Sequence, residues 1–142
     1  MTPGGLVNPS AIRDSRIAAR LTQQELARLV GVAGGDRVSK WECGTAEPRP
    51  ETLHRLAAVL DRQPVDLLTP LIGVADLRRL RVLAGKTAAS VAKAAHLSLT
   101  TYQRWEGGDI EHLPPRAALV ELGEALGVSP DDVGSAIRAA RG

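Results

Sequence analysis

The tetrad Trp-Glu-x-Gly occurs twice in this chain, as "VSKWECG" over residues 38–44 and as "YQRWEGG" over residues 102–108. Each occurrence is the centre of a longer stretch of self-similarity. On the N-terminal side, "LTQQELARLVGV" at 21–32 lies over "KTAASVAKAAHL" at 86–97, which sets Leu26-Ala27 against Val91-Ala92. On the C-terminal side, "LHRLAAVLDRQPVDLL" lies over "LVELGEALGVSPDDVG". The register holds apart from small length changes in two connecting loops. A chain of 142 residues can be one medium domain or two small ones, and the duplication selects the second.

A small domain must build its core from the side chains it has. There is no Phe, one Tyr and two Trp, so the core falls to Leu, Val, Ile and Ala within a 44% apolar content. That composition favours packed helices over a sheet sandwich. Start, stop and period signals divide each copy into about five short helices. Asn8-Pro9 is an N-cap and first-turn proline for a first helix that carries Ile12, Ile17 and Leu21 inward. Thr22 and Glu25 form a capping box for the second, with Leu26, Leu29 and Val30 as its apolar positions and Gly31 as its stop. The third runs to about Cys43 and ends at Gly44. Pro50 starts a fourth with Leu53, Leu56, Ala57 and Leu60 on one face, and "PVDLL" is a short fifth. In the second copy the starts fall near Ile72, Thr87, Ser98, Pro114 and Ser129. The division expected is an N-terminal flexible arm over 1–7, a first domain over 8–69 and a second, degenerate one over 70–142.

The second helix, tight turn and third helix of each copy make a helix-turn-helix, whose later helix can enter the DNA major groove. The ordered set "LTQQELARLVGV", "VSKWECG" and "PRPETLHRLAAVL" resembles the Cro/repressor-type (Xre-like) domain of phage repressors and bacterial regulators. The resemblance spans roughly residues 8–69 with high specificity and 72–140 more weakly. It implies an all-α fold of two tandem five-helix, lambda-repressor-like DNA-binding domains, with double-stranded DNA as partner.

Base reading needs long polar side chains on the outer face of the third helix. The first copy supplies Asp36, Arg37 and Lys40 there, and the second supplies Thr100, Thr101 and Arg104. Arg or Lys donates to guanine O6 and N7, and Asp accepts from cytosine N4. For Asp36 an N-terminal helix cap is the competing role. The resemblance places phosphate contacts at the start of the second helix and in the loop after the third, which implicates Thr22, Gln23, Thr45 and Arg49. It also implies that Arg16–Glu42 and Arg81–Glu106 are internal salt bridges from the first helix to the end of the third. The second copy departs from the pattern. Ala88 stands in place of Gln23, and its loop carries Asp109 and Glu111, which repel phosphates.

In the family an apolar residue of the reading helix falls six positions after the turn glycine, a spacing kept from His96 to Tyr102. Val38 falls seven after Gly31, so "AGGD" holds one extra residue. Gly34 and Gly35 then have two readings. They relieve a longer turn by accepting positive φ, or they let the helix end approach DNA with the Gly35 N–H facing a phosphate. Trp41 and Trp105 are read as core, His96 as a residue tolerating the left-handed conformation at the turn, and Cys43 as a partly buried, inert thiol.

The remaining function classes narrow quickly. A formal net charge of +2 permits contact with an anionic polymer without proving it. No paired carboxylates, nucleophile-base set or phosphate loop stands at usable spacing, so the chain is read as a non-enzyme. No metal site and no cofactor is expected, because one Cys and three His show no ligand spacing. The start "MTPGGLVNPS" has no signal-peptide pattern and no apolar run approaches a membrane span, which leads to a cytoplasmic expectation, nucleoid-associated when DNA is bound. The function expected is a sequence-specific DNA-binding transcriptional regulator. The alternative is a protein-interaction module, such as an antitoxin or scaffold subunit, in which the second copy docks a partner or forms a homodimer.

Overall fold

The computed structural model describes residues 5–141, and the chain divides into two compact units, Met1–Pro70 and Leu71–Gly142. Both are helical. The first contains α1 (Pro9–Ala18), α2 (Gln23–Val30), α3 (Gly35–Cys43), α4 (Pro50–Val59) and a 3-10 turn over Pro64–Leu67. The second contains α5 (Leu77–Leu83), α6 (Ala88–Ala94), α7 (Leu99–Glu106), α8 (Arg116–Leu126) and α9 (Pro130–Arg141). Among the described residues there is no β-sheet, only an isolated antiparallel bridge between Val7 and Leu68. No helix among them is long and apolar enough to cross a membrane.

The helix boundaries follow from local chemistry. Asn8 Oδ1 accepts from the Ser10 N–H at 3.1 Å and opens α1 at Pro9. Gly31 and Gly44 take φ of 84° and 77° and stop α2 and α3, since glycine adopts the left-handed region without a Cβ penalty. In the second unit Ser98 Oγ accepts from Thr101 N–H at 3.1 Å to open α7, and Ser129 Oγ accepts from Asp132 N–H at 3.0 Å to open α9.

Each unit has its own core. Ile12, Leu26, Val38, Leu53, Leu56 and Leu67 are fully buried in the first, and Leu77, Val91, Tyr102, Leu122, Val133 and Ile137 in the second. Two apolar residues expected inside are instead exposed, Ile17 at 53% and Leu29 at 54%. At about 100° per residue Ile17 stands about 140° around α1 from Ile12, and Leu29 lies beyond the arc that Leu26, Ala27 and Val30 present.

Three further expectations are corrected. The arm over residues 1–7 is not free at its end, because Val7 is buried, its N–H donates to Glu47 Oε2 at 3.1 Å, and Thr69 N–H donates to Leu6 O at 2.9 Å. Residues 1–4 lie outside the described residues. The fifth helix pair does not match: the first unit has a four-residue 3-10 turn running out toward Val7, where the second has the twelve-residue α9 burying Val133, Ala136 and Ile137. Finally α5 starts at Leu77 and α8 at Arg116, later than Ile72 and Pro114, because Asp76 Oδ1 accepts from Arg79 N–H at 2.9 Å and Pro115 takes the N-cap position.

Candidate nucleic-acid interface

In the first unit α2 begins on a reciprocal cap. Thr22 Oγ1 accepts from Glu25 N–H and Glu25 Oε1 accepts from Thr22 N–H, both at 3.0 Å. The hydrogen bond from the Thr22 backbone N–H, with that from its side chain second, holds the Glu25 carboxyl below its usual range. After the left-handed Gly31, three residues carry the chain to α3, whose first residue is Gly35.

The two glycines at this junction do not relieve strain through positive φ. Gly34 has φ 176° and ψ 176°, which is extended backbone, and a Cβ there would meet only the end of the Gln24 side chain, at 3.9 Å. At Gly35 the constraint is space. A Cβ there would lie 3.2 Å from Gln24 N and 3.4 Å from Gln23 C, so α3 starts directly against the first turn of α2. The Gly35 N–H does not stand open toward solvent either, because it donates to Gln24 Oε1 at 2.9 Å.

α3 buries Val38 and Trp41 and turns Asp36, Arg37 and Lys40 outward, all three exposed. Asp36 is not the N-cap, a place held by Gly34; it lies in the first helical turn, where a negative charge complements the helix dipole. Among the described residues the side chains of Arg37 and Lys40 pair with no carboxylate and make no hydrogen bond. Past Gly44, Thr45 turns back on the helix end, with Oγ1 donating to Lys40 O at 3.3 Å. Arg49 is exposed at the N-cap of α4.

Beneath this face a network ties three helices. Arg16 Nε donates to Glu42 Oε2 at 2.6 Å and Arg16 Nη2 to Glu42 Oε1 at 3.0 Å, while Arg16 Nη1 holds Leu21 O at 2.9 Å. The hydrogen bond to Glu42 raises the Arg16 guanidinium above its ordinary value. Gln23 Nε2 also donates to Glu42 Oε1, at 3.2 Å. A side chain expected at a phosphate is therefore partly committed inward, with one amide N–H left over.

The second unit repeats the frame and changes its outer face. Thr87 and Ser90 exchange the cap at 3.1 Å in each direction, and His96 stands at φ 60° where Gly31 stood. Arg81 Nε and Nη2 donate to Glu106 Oε2 and Oε1, both at 2.9 Å, and Arg81 Nη1 donates to Lys86 O at 3.1 Å. Burial works to raise the Glu106 carboxyl, but Arg81 and the neighbouring Tyr102 outweigh it and leave it below the usual range. Burial pushes the Tyr102 hydroxyl far up; it lies beside this pair without a well-formed hydrogen bond. Of the residues aligned with the first unit's reading set, Thr100 and Arg104 are exposed and Thr101 is half-buried, its Oγ1 accepting from Ser98 Oγ at 2.9 Å. Arg104 Nε lies 3.5 Å from Asp109 Oδ2. Gly108, at φ 76°, has the end of α9 against it, so that a Cβ would stand 2.6 Å from Arg141 N.

Three participants escaped the sequence reading: Gln24 as acceptor for α3, Asp109 as partner of Arg104, and Glu121, whose Oε2 lies 3.2 Å from His96 Nδ1. Only Gln24 left a signal, since Ala89 stands opposite it in the second copy. Cys43, expected partly buried, is exposed at the end of α3, where the chain turns out at Gly44.

A family model described as a helix-turn-helix domain matches the chain twice, over residues 11–69 and 74–135. No curated protein and no solved structure matches the chain.

Proposed function

The chain belongs to the helix-turn-helix domain family in both of its halves, and we propose from that premise that it is a sequence-specific, Xre-like DNA-binding regulator whose first unit does the reading. The observation that carries this is the outer face of α3, where Arg37 and Lys40 are exposed without a carboxylate partner among the described residues, on a helix anchored from below by Val38, Trp41 and Glu42. A cation held on a rigid helix and left unpaired is free to donate to guanine in the major groove. Around it Thr22, the remaining amide N–H of Gln23, Thr45 and Arg49 supply donors for phosphates, which orient the domain without reading sequence. Occupying an operator would exclude or position RNA polymerase, and the working place of such a protein is the cytoplasm, on the nucleoid.

A second role falls to the other unit. Arg104 faces Asp109, Glu111 is exposed beside it, and Ala88 supplies no amide for a phosphate. This unit is a docking or dimerisation module, and the chain is an asymmetric pair of one reader and one adaptor.

Selection of bound duplexes from random DNA by the full chain, followed by titration at rising salt, tests the assignment. An enriched sequence is expected, with log affinity falling by roughly 0.9 per phosphate contacted for each unit of log salt. No enrichment and a flat salt response would mean that the chain is an interaction module throughout.

A further inference from the structure

The reading helix of the first unit has no cap of its own. Its N-cap residue is Gly34, which has no side chain to accept from the first turn, and the next residue is also glycine. Uncapped N–H groups and two glycines, the residue with most backbone freedom to lose, would let that turn fray. The acceptor comes from the neighbouring helix, since Gln24, the second residue of α2, brings Oε1 to within 2.9 Å of Gly35 N. Because Gly35 N–H is a donor, the atom facing it must be the amide oxygen, which turns Gln24 Nε2 away.

The second unit shows the same junction solved differently. Position for position, Gln24 is matched by Ala89, Gly34 by Ser98 and Gly35 by Leu99. There Ser98 Oγ caps its own helix through Thr101 N–H at 3.1 Å. Where the cap is local, the residue on the preceding helix is an Ala that accepts nothing and the first helical residue carries a full side chain. Where the cap crosses between helices, a Gln reaches over and a Gly leaves out a Cβ that would stand 3.2 Å from Gln24 N. Three positions differ together between the two junctions, and the Gln24–Gly35 pair is the one that the crossing cap requires.

We propose that Gln24 is a positioning residue for base reading: it fixes the first turn of α3 to the first turn of α2, and so sets where Asp36 and Arg37 stand relative to the phosphate-facing end of α2. This rests on the reading role given to α3 above. Gln24 itself need not touch a base. Its effect is on discrimination between sequences, because non-specific attraction depends on charges that it does not carry.

The test uses the full chain, its selected operator and an unrelated duplex, with two variants and two readouts. Gln24→Ala is expected to speed hydrogen exchange at the Gly35 amide and to lower the ratio of operator to unrelated-duplex affinity by about fivefold to tenfold, the scale of one lost helix cap, leaving unrelated-duplex affinity unchanged. Gly34→Ser added to Gln24→Ala supplies a local cap of the kind Ser98 provides, accepting from the Arg37 N–H at a position with room for a side chain, and is expected to slow exchange at the Arg37 amide and restore the affinity ratio while Gly35 exchange stays fast. Unchanged Gly35 exchange in Gln24→Ala would show that the cap is absent and overturn the proposal. Faster exchange with an unchanged affinity ratio would leave a cap with no part in reading and overturn it as well. Slowed Arg37 exchange without rescue of the ratio would instead make Gln24 a direct DNA contact and overturn the positioning role. If the parent chain itself prefers no sequence, the reading role of α3 has failed and this proposal falls with it, while the exchange readout still reports on the cap.

Discussion

Arg104 Nε lies 3.5 Å from Asp109 Oδ2, whereas Lys40, which occupies the same place in the first unit, faces no carboxylate among the described residues. On the reading proposed above, that difference makes α3 the helix that offers a free cation to DNA. Lys40→Ala is expected to lower operator affinity by roughly 1–3 kcal/mol and relax preference at one base position. Arg104→Ala should bind like the parent chain. A titration of both variants against the selected operator checks this, and equal losses would make the second unit a reader too.

The Arg16–Glu42 bridge is nearly closed to solvent, with side-chain exposures of 15% and 5%. Its removal therefore belongs nearer the buried than the surface regime. Arg16→Ala leaves the Glu42 side chain with only the Gln23 amide as a hydrogen-bond partner among the described residues, and should cost the first unit about 3 kcal/mol. Denaturant unfolding followed at Trp41 measures it, and a cost below about 1 kcal/mol would place the bridge among immaterial surface pairs.

Acid should weaken the second unit through Glu106. Its carboxyl is held below the ordinary range in the folded state, so the bridge to Arg81 contributes fully above the unfolded value of about 4.3. That contribution is lost as pH falls through the depressed folded value. Denaturant midpoints of the second unit should drop below about pH 4, and the drop should shrink in Glu106→Gln. Trp105 fluorescence in a Trp41→Phe background isolates this unit, and an identical pH profile in both proteins would rule out Glu106 as its source.

The neighbouring glycines 34 and 35 should respond differently to the same substitution. Gly34→Ala meets only the far end of Gln24, at 3.9 Å, and is expected to change stability by less than about 0.5 kcal/mol. Gly35→Ala presses on the Gln24 backbone and should destabilise the first unit by about 1 kcal/mol. Comparing the two midpoints separates a turn that needs flexibility from one that needs space, and equal losses would favour flexibility.

Local rules carried much of this protein. The repeated Trp-Glu-x-Gly tetrad and the apolar periodicity pointed to two all-helical units, because a capping box, a left-handed glycine and a 3.6-residue period act within a few residues of chain. The outward positions of Asp36, Arg37 and Lys40 were legible for the same reason, once Val38 and Trp41 were assigned inward. Tertiary structure decided what depends on distance between helices. Ile17 and Leu29 are apolar yet exposed, because the arc each helix buries is set by its neighbours and not by its own composition. The fifth element is a 3-10 turn in one unit and α9 in the other, according to what lies beside it: the Val7 bridge or the Gly108 loop. The glycine pair is the clearest case, since chain chemistry offered positive φ as its reason, while the folded unit uses Gly35 for a close approach between α2 and α3. A hydrogen bond of 2.9 Å between residues eleven positions apart is a property of packing, and no local pattern encodes it.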